Sequence, residues 1–165
     1  VDFWDVQEMA NQMVSVLRQE LASMIRVVYL LKQPVECRRH LIEASVNGQR
    51  WRRSDGKGLV TDREMVDLTQ RLLGWTQSVY KFGCAFIHLS SLHDFSDRDP
   101  LIQVSNEERM DILEHCRACH GGPHGKEVGF SELVPYLPSI LAKVSANLDC
   151  YLEDLESGLL LENVF

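Results

Sequence analysis

The stretch TDREMVDLTQRLLGWTQSVYKFGCAFIHL, from Thr61 to Leu89, decides the fold class. Met65, Leu68, Leu72, Trp75, Val79, Phe82, Phe86 and Leu89 recur at alternating three- and four-residue steps. In a helix that spacing draws one apolar line along a single face, the seam of a coiled-coil-like packing. Thr61 and Glu64 open the stretch as a capping box, the threonine hydroxyl serving the first turn and the carboxylate reaching back. At 1.5 Å per residue the predicted helix is roughly 45 Å long.

The same seam recurs on either side. From Asp2 to Lys32, Phe3, Ala10, Met13, Leu17, Leu21, Met24, Val28 and Leu31 fall mostly at helical steps, and Pro34 stops the run. Near the other end Leu137, Leu141, Val144, Leu148, Tyr151 and Leu155 repeat it, with Gly158 as the stop and an apolar tail, Leu159 to Leu161, beyond. Ser131 or the Pro135/Pro138 region is expected to start that helix. Ser105-Asn-Glu-Glu108 is a second capping box, opening a short helix that runs to about His120, where Gly121 and Gly122 end it. A polar loop broken by Asp99-Pro100 precedes it.

The span from about 38 to 53 reads differently. His40, Ile42, Ala44 and Val46 alternate with Leu41, Glu43 and Ser45, and Asn47-Gly48 follows, the preferred pair for a type I′ turn. A two-residue loop there pairs Ala44 with Trp51 and Glu43 with Arg52 across the strands. The alternative is a short helix stopped by Gly48, while Ser54 to Gly58 is a loop in both cases. The expected architecture is mainly α: one domain over residues 1–165, a bundle of about four helices. Two of them are long and antiparallel, and one small β-hairpin is inserted between these.

Composition narrows the function classes. At 165 residues, with 45% hydrophobic and 25% charged side chains, the chain is long enough for a real core. No apolar run approaches the roughly 18 residues of a membrane span. Val1-Asp-Phe-Trp-Asp5 shows no basic-then-apolar leader, and the five cysteines are an odd, scattered set, so a reducing cytoplasm is the expected setting. Net charge is −7, which argues against a general nucleic-acid binder. The charge is uneven, however. Arg38, Arg39, Arg50, Arg52, Arg53 and Lys57 face only Glu43 and Asp55 between residues 38 and 58, a local +4 on a chain otherwise near −11. Such a patch grips phosphate or docks on acidic protein surface. Arg50, Arg52 and Arg53 are the candidate binding residues.

Five of the six histidines lie between His88 and His124. Cys116-Arg-Ala-Cys119-His120 has c-type haem spacing, but the export that haem attachment needs has no signal here. Zinc is also poorly served. On a helix His115 pairs with Cys119 and Cys116 with His120, on faces that point apart, each pair short of two ligands. The bland account is that Cys116 and Cys119 act as small apolar residues and the histidines suit a helix C-terminus. No resident cofactor or metal is expected. There is no Gly-x-Ser-x-Gly elbow, phosphate-binding glycine loop or dinucleotide fingerprint.

Trp75 to Phe95, WTQSVYKFGCAFIHLSSLHDF, carries a basic residue, a short gap and a histidine on a helix. It resembles the HEPN superfamily of prokaryotic nucleases, all-α proteins in which an Arg and a His a few residues apart promote metal-independent RNA cleavage across a dimer interface. The resemblance implies Lys81 in the place of the family's arginine and His88 as general acid/base. Seven residues apart, the two share a helix face away from the seam, whereas His93 is rotated about 140° from His88. The chain departs from the family in its lysine, which cannot hold phosphate in a bidentate fork, and in Phe82, where a polar residue is common.

The reading favoured by these features is a cytoplasmic bacterial interaction or accessory module without catalysis, partnered by copies of itself or by another protein and not by a membrane. HEPN-like RNA cleavage, with RNA held by the basic hairpin, is the first alternative. A His/Cys metal-binding protein is the second.

Overall fold

The computed structural model describes residues 3–73, 99–102, 104–125 and 128–161. The chain is mainly helical. Five helices of twelve or more residues occur among the described residues: α1 (Phe3–Leu31), α2 (Val35–Val46), α3 (Asp62–Leu73), α4 (Asn106–His120) and α6 (Leu137–Glu156). A single four-residue turn of helix, α5 (Phe130–Leu133), precedes α6. No described helix is long and apolar enough to cross a membrane. The chain divides into two compact units, one of Val1–Leu21 with Gln77–Ser145, the other of Ala22–Thr76 with Ala146–Phe165.

In the first unit, α1 buries Ala10, Val14, Leu17 and Leu21, four- and three-residue steps along one face. Helix α4 starts as its capping box requires. Ser105 Oγ accepts from the Glu108 amide at 3.2 Å, and the Glu108 carboxylate accepts from the Ser105 amide at the same distance. It stops at Gly121, whose φ of +79° is open to glycine and which donates to the Arg117 carbonyl. The following loop is pinned by arginines: Arg117 donates to the carbonyls of Pro123 and Gly125, and Arg109 to that of Val128. The Asp99 carboxylate accepts from the amides of Leu101 (2.8 Å) and Phe130 (2.9 Å), tying the turn at Pro100–Ile102 to the start of α5. Leu133 and Leu137 flank a 3₁₀ turn, Val134–Tyr136, and both are fully buried, as are Leu101, Val128 and Val144, with Ile140 nearly so.

In the second unit, α1 ends where Pro34 forbids its continuation. Its last two turns are buried on nearly every side, from Met24 through Leu31 with Arg26 the exposed exception. The carbonyls at and just past the helix end find unusual partners. Arg38, only 4% exposed, donates Nη2 to the Leu31 carbonyl and Nε to that of Gln33, both at 2.9 Å. The Leu161 amide shares the Leu31 carbonyl at 3.0 Å.

A hairpin over 38–53 does not form; residues 35–46 are helix α2. Asn47 has φ −85° and ψ 7°, whereas a type I′ turn needs positive φ at both central residues. Gly48 alone is left-handed, at φ +67°, and its amide and that of Gln49 return to the carbonyls of Ser45 and Ala44. Asn47-Gly48 therefore works as a helix stop. Arg38 and Leu41, three residues apart, turn to the same buried side, a spacing only the helix satisfies. An antiparallel contact does occur, but farther along: Arg52 bridges Leu59, the Arg53 amide donates to Gly58 and the Val60 amide to Trp51. The loop Ser54 to Gly58 closes it, with the Asp55 side chain accepting from the Lys57 amide. Trp51 fixes this reversal to α2 and α1, donating Nε1 to Ser45 Oγ at 2.7 Å and stacking on Tyr29 with centroids 5.9 Å apart.

Helix α3 begins with Thr61 Oγ1 accepting from the Glu64 amide. Glu64 turns its carboxylate away from the cap, onto Arg53. Thr69 is fully buried, and its hydroxyl is satisfied by the Met65 carbonyl at 2.7 Å. The seam positions from Trp75 to Leu89 lie outside the described residues.

Candidate functional site

The six basic side chains of the 38–58 span separate into different roles. Arg38 is buried and structural, as above. Arg53 is clamped to Glu64, with Nε and Nη2 on one carboxylate oxygen at 3.0 and 2.8 Å. That ion pair and the bonds within it hold the Arg53 guanidinium still more firmly protonated than usual. Arg39, Arg50, Arg52 and Lys57 are exposed. No ion pair or side-chain hydrogen bond engages Arg50 or Arg52 among the described residues.

These two arginines stand over adjoining concavities, both in the second unit. One, of about 550 Å³, is walled by Arg26, Arg50, Trp51, Leu59, Asp62 and Met65. The other, of about 620 Å³, lies among His40, Leu41, Ala44, Arg50, Arg52 and Leu59. Gln49, Arg50 and Leu59 belong to both, so the two read as one groove with Arg50 at its centre. Beside Arg26, Arg50 and Arg52 the two linings hold one carboxylate, Asp62, and the apolar side chains include Leu41, Leu59 and Met65. Such a surface suits an anionic partner with an apolar edge.

Charge density in the sequence marks Arg50 and Arg52, which line the groove, but not Arg26, which α1 contributes from a distant part of the chain. It also could not separate Arg38 from Arg39. The available signal was position: Arg38 follows Pro34 by four residues and falls on the same helix side as Leu41.

Lys81 and His88 lie outside the described residues, as do Cys84 and His93. Of the remaining histidines, His40 is exposed 4.0 Å from Glu43. His124 is exposed in the loop after α4. His115 and His120 are half-buried on α4, and His120 Nδ1 lies 3.2 Å from Ser139 Oγ. Burial pushes both imidazoles below the ordinary histidine range, with Lys143 adding repulsion to each. Burial likewise pushes the Cys116 thiol up, which suits an inert core cysteine rather than a nucleophile. Among the described residues no group of three or more His, Cys, Asp or Glu side chains is placed to hold a metal ion.

The two depressed histidines set a pH dependence. Each prefers to be neutral in the fold and binds its proton more readily when unfolded. Stability is therefore full above the unfolded value near 6.5 and falls as pH drops through the lower folded values. Thermal melts should show a midpoint that falls from pH 7 to pH 5 from this source. His115→Gln should flatten the slope; a slope unchanged in that variant assigns the effect elsewhere.

Comparison of the chain with family models, curated proteins and solved structures gives no match in any of the three.

Proposed function

We propose that this chain is a soluble, cytoplasmic helical interaction module that works without catalysis and associates with copies of itself. The observation that carries the reading is the outer side of α2. Val35, Ile42 and Val46 are 55%, 40% and 81% exposed. Steps of seven and four residues line them up about a quarter turn from the buried side of Arg38 and Leu41. Helix α2 thus offers water an apolar row on a different side from His40, Leu41 and Ala44, which line the arginine groove, and such a row is the pattern of a surface that is covered in use. Light scattering of the full chain at high concentration should give a mass above the 18.9 kDa monomer. Ile42→Ser with Val46→Ser should shift it toward the monomer without loss of helical signal. A wild type that stays monomeric and retains no partner counts against the module.

The free guanidinium groups of Arg50 and Arg52 favour a second reading, in which they grip RNA backbone while His88, supported by Lys81, cleaves in the HEPN manner. Purified protein should then degrade RNA in EDTA, and His88→Ala should abolish the activity. Equal cleavage by both proteins would remove His88 from any such role.

A further inference from the structure

The second unit carries a surface of opposite character to the groove. On α6, Asp149, Leu152, Glu153 and Glu156 fall at i, i+3, i+4 and i+7, hence on one face, and all four are exposed. No basic residue occurs from Val144 to Phe165. Past the helix end at Gly158 (φ +77°), Leu159 and Leu160 are also exposed. Within one chain no ion pair joins these carboxylates to Arg26, Arg50 or Arg52 among the described residues.

We infer that the α6 face of one copy docks in the Arg50 groove of the next. This rests on the self-association proposed above and adds to the α2 row a second, charged contact. Three guanidinium groups on one side meet three carboxylates on the other, and Leu152 is carried against Leu59. Self-complementary pairings are disfavoured by charge: groove on groove opposes arginines, and α6 on α6 opposes carboxylates. The contact joins two different patches, so each added copy presents a fresh groove or a fresh α6 face. Assembly then grows with concentration until a ring closes or a filament extends. Exposed ion pairs contribute modestly each, and they act here chiefly by selecting the head-to-tail pairing and by making it weaken in salt.

Reciprocal charge reversal tests this with the full chain, by sedimentation velocity at low salt. Circular dichroism confirms that the variants, all at exposed sites, remain folded. Arg50→Glu with Arg52→Glu, and separately Glu153→Lys with Glu156→Lys, should each weaken self-association by about tenfold or more. An equimolar mixture of the two variants should recover it, because reversed groove meets reversed helix face and the two unaltered surfaces also pair. Wild-type-like association of either variant alone, or a mixture no larger than its parts, overturns the docking while leaving self-association in place. A wild type monomeric at every concentration overturns both. A short RNA retained by monomeric wild type and released by the arginine reversals assigns the groove to a different occupant and overturns the docking as well.

Discussion

Arg38→Ala should lower stability by roughly 2–4 kcal/mol, far more than a charged residue in a basic patch ordinarily costs. The guanidinium is buried and holds two carbonyls, those of Leu31 and Gln33, through separate nitrogens. Removing it leaves the Gln33 carbonyl without that donor and the Leu31 carbonyl with the Leu161 amide alone, at a place water reaches poorly. Lysine should rescue only part of the loss, because a single ammonium does not reproduce the two-pronged reach of the fork. The neighbouring Arg39 is exposed, and Arg39→Ala should stay within about 0.5 kcal/mol. Urea denaturation distinguishes them: a lower midpoint at unchanged slope for Arg38→Ala, and superimposable curves for Arg39→Ala and wild type. Equal midpoints for all three would mean that Arg38 is not the cap of α1.

Leu137→Ala should cost more still, about 2–5 kcal/mol, the range for emptying a filled apolar site. Leu137 is fully buried at the first position of α6, one 3₁₀ turn after α5, whose start Asp99 and Glu132 set up through the amides of Phe130 and Gly129. Leu152 on the same helix is 39% exposed, so Leu152→Ala should leave the urea midpoint nearly unmoved while reducing association. The pair separates folding from docking on one helix. Matching losses of stability at both positions would contradict the assignment of Leu152 to an open surface.

The helical character of the chain was legible because several local signals agreed. Three- and four-residue apolar steps placed α1 and α6, Pro34 and Gly158 placed their ends, and Ser105 with Glu108 placed the start of α4. The span after Pro34 misled because its signals are shared by two structures. Seven alternating residues are too few to separate a strand from a helix, and Asn-Gly serves both a type I′ turn and a helix stop. Tertiary burial of Arg38 and Leu41 decided for the helix. The Thr61 box was half legible: the threonine caps α3, but Glu64 is drawn to Arg53, a pairing that only the reversal at Ser54 to Gly58 brings within reach.

The candidate site was legible as charge and not as shape. Charge density located Arg50 and Arg52, yet nothing in the local sequence distinguishes a buried cap, a clamped ion pair and a free guanidinium among six basic residues. Arg26 joins the groove through the fold alone. Of the histidine cluster, His115 and His120 share the neighbourhood of Lys143 on α4, His124 is exposed in the loop beyond, and His88 and His93 lie outside the described residues.

The most direct measurement of the account is sedimentation equilibrium of the wild-type chain over a wide concentration range at low and high salt. Association through an arginine groove predicts an average mass that rises above 18.9 kDa with concentration at low salt and falls back toward it at high salt. A mass fixed at 18.9 kDa under every condition would contradict it.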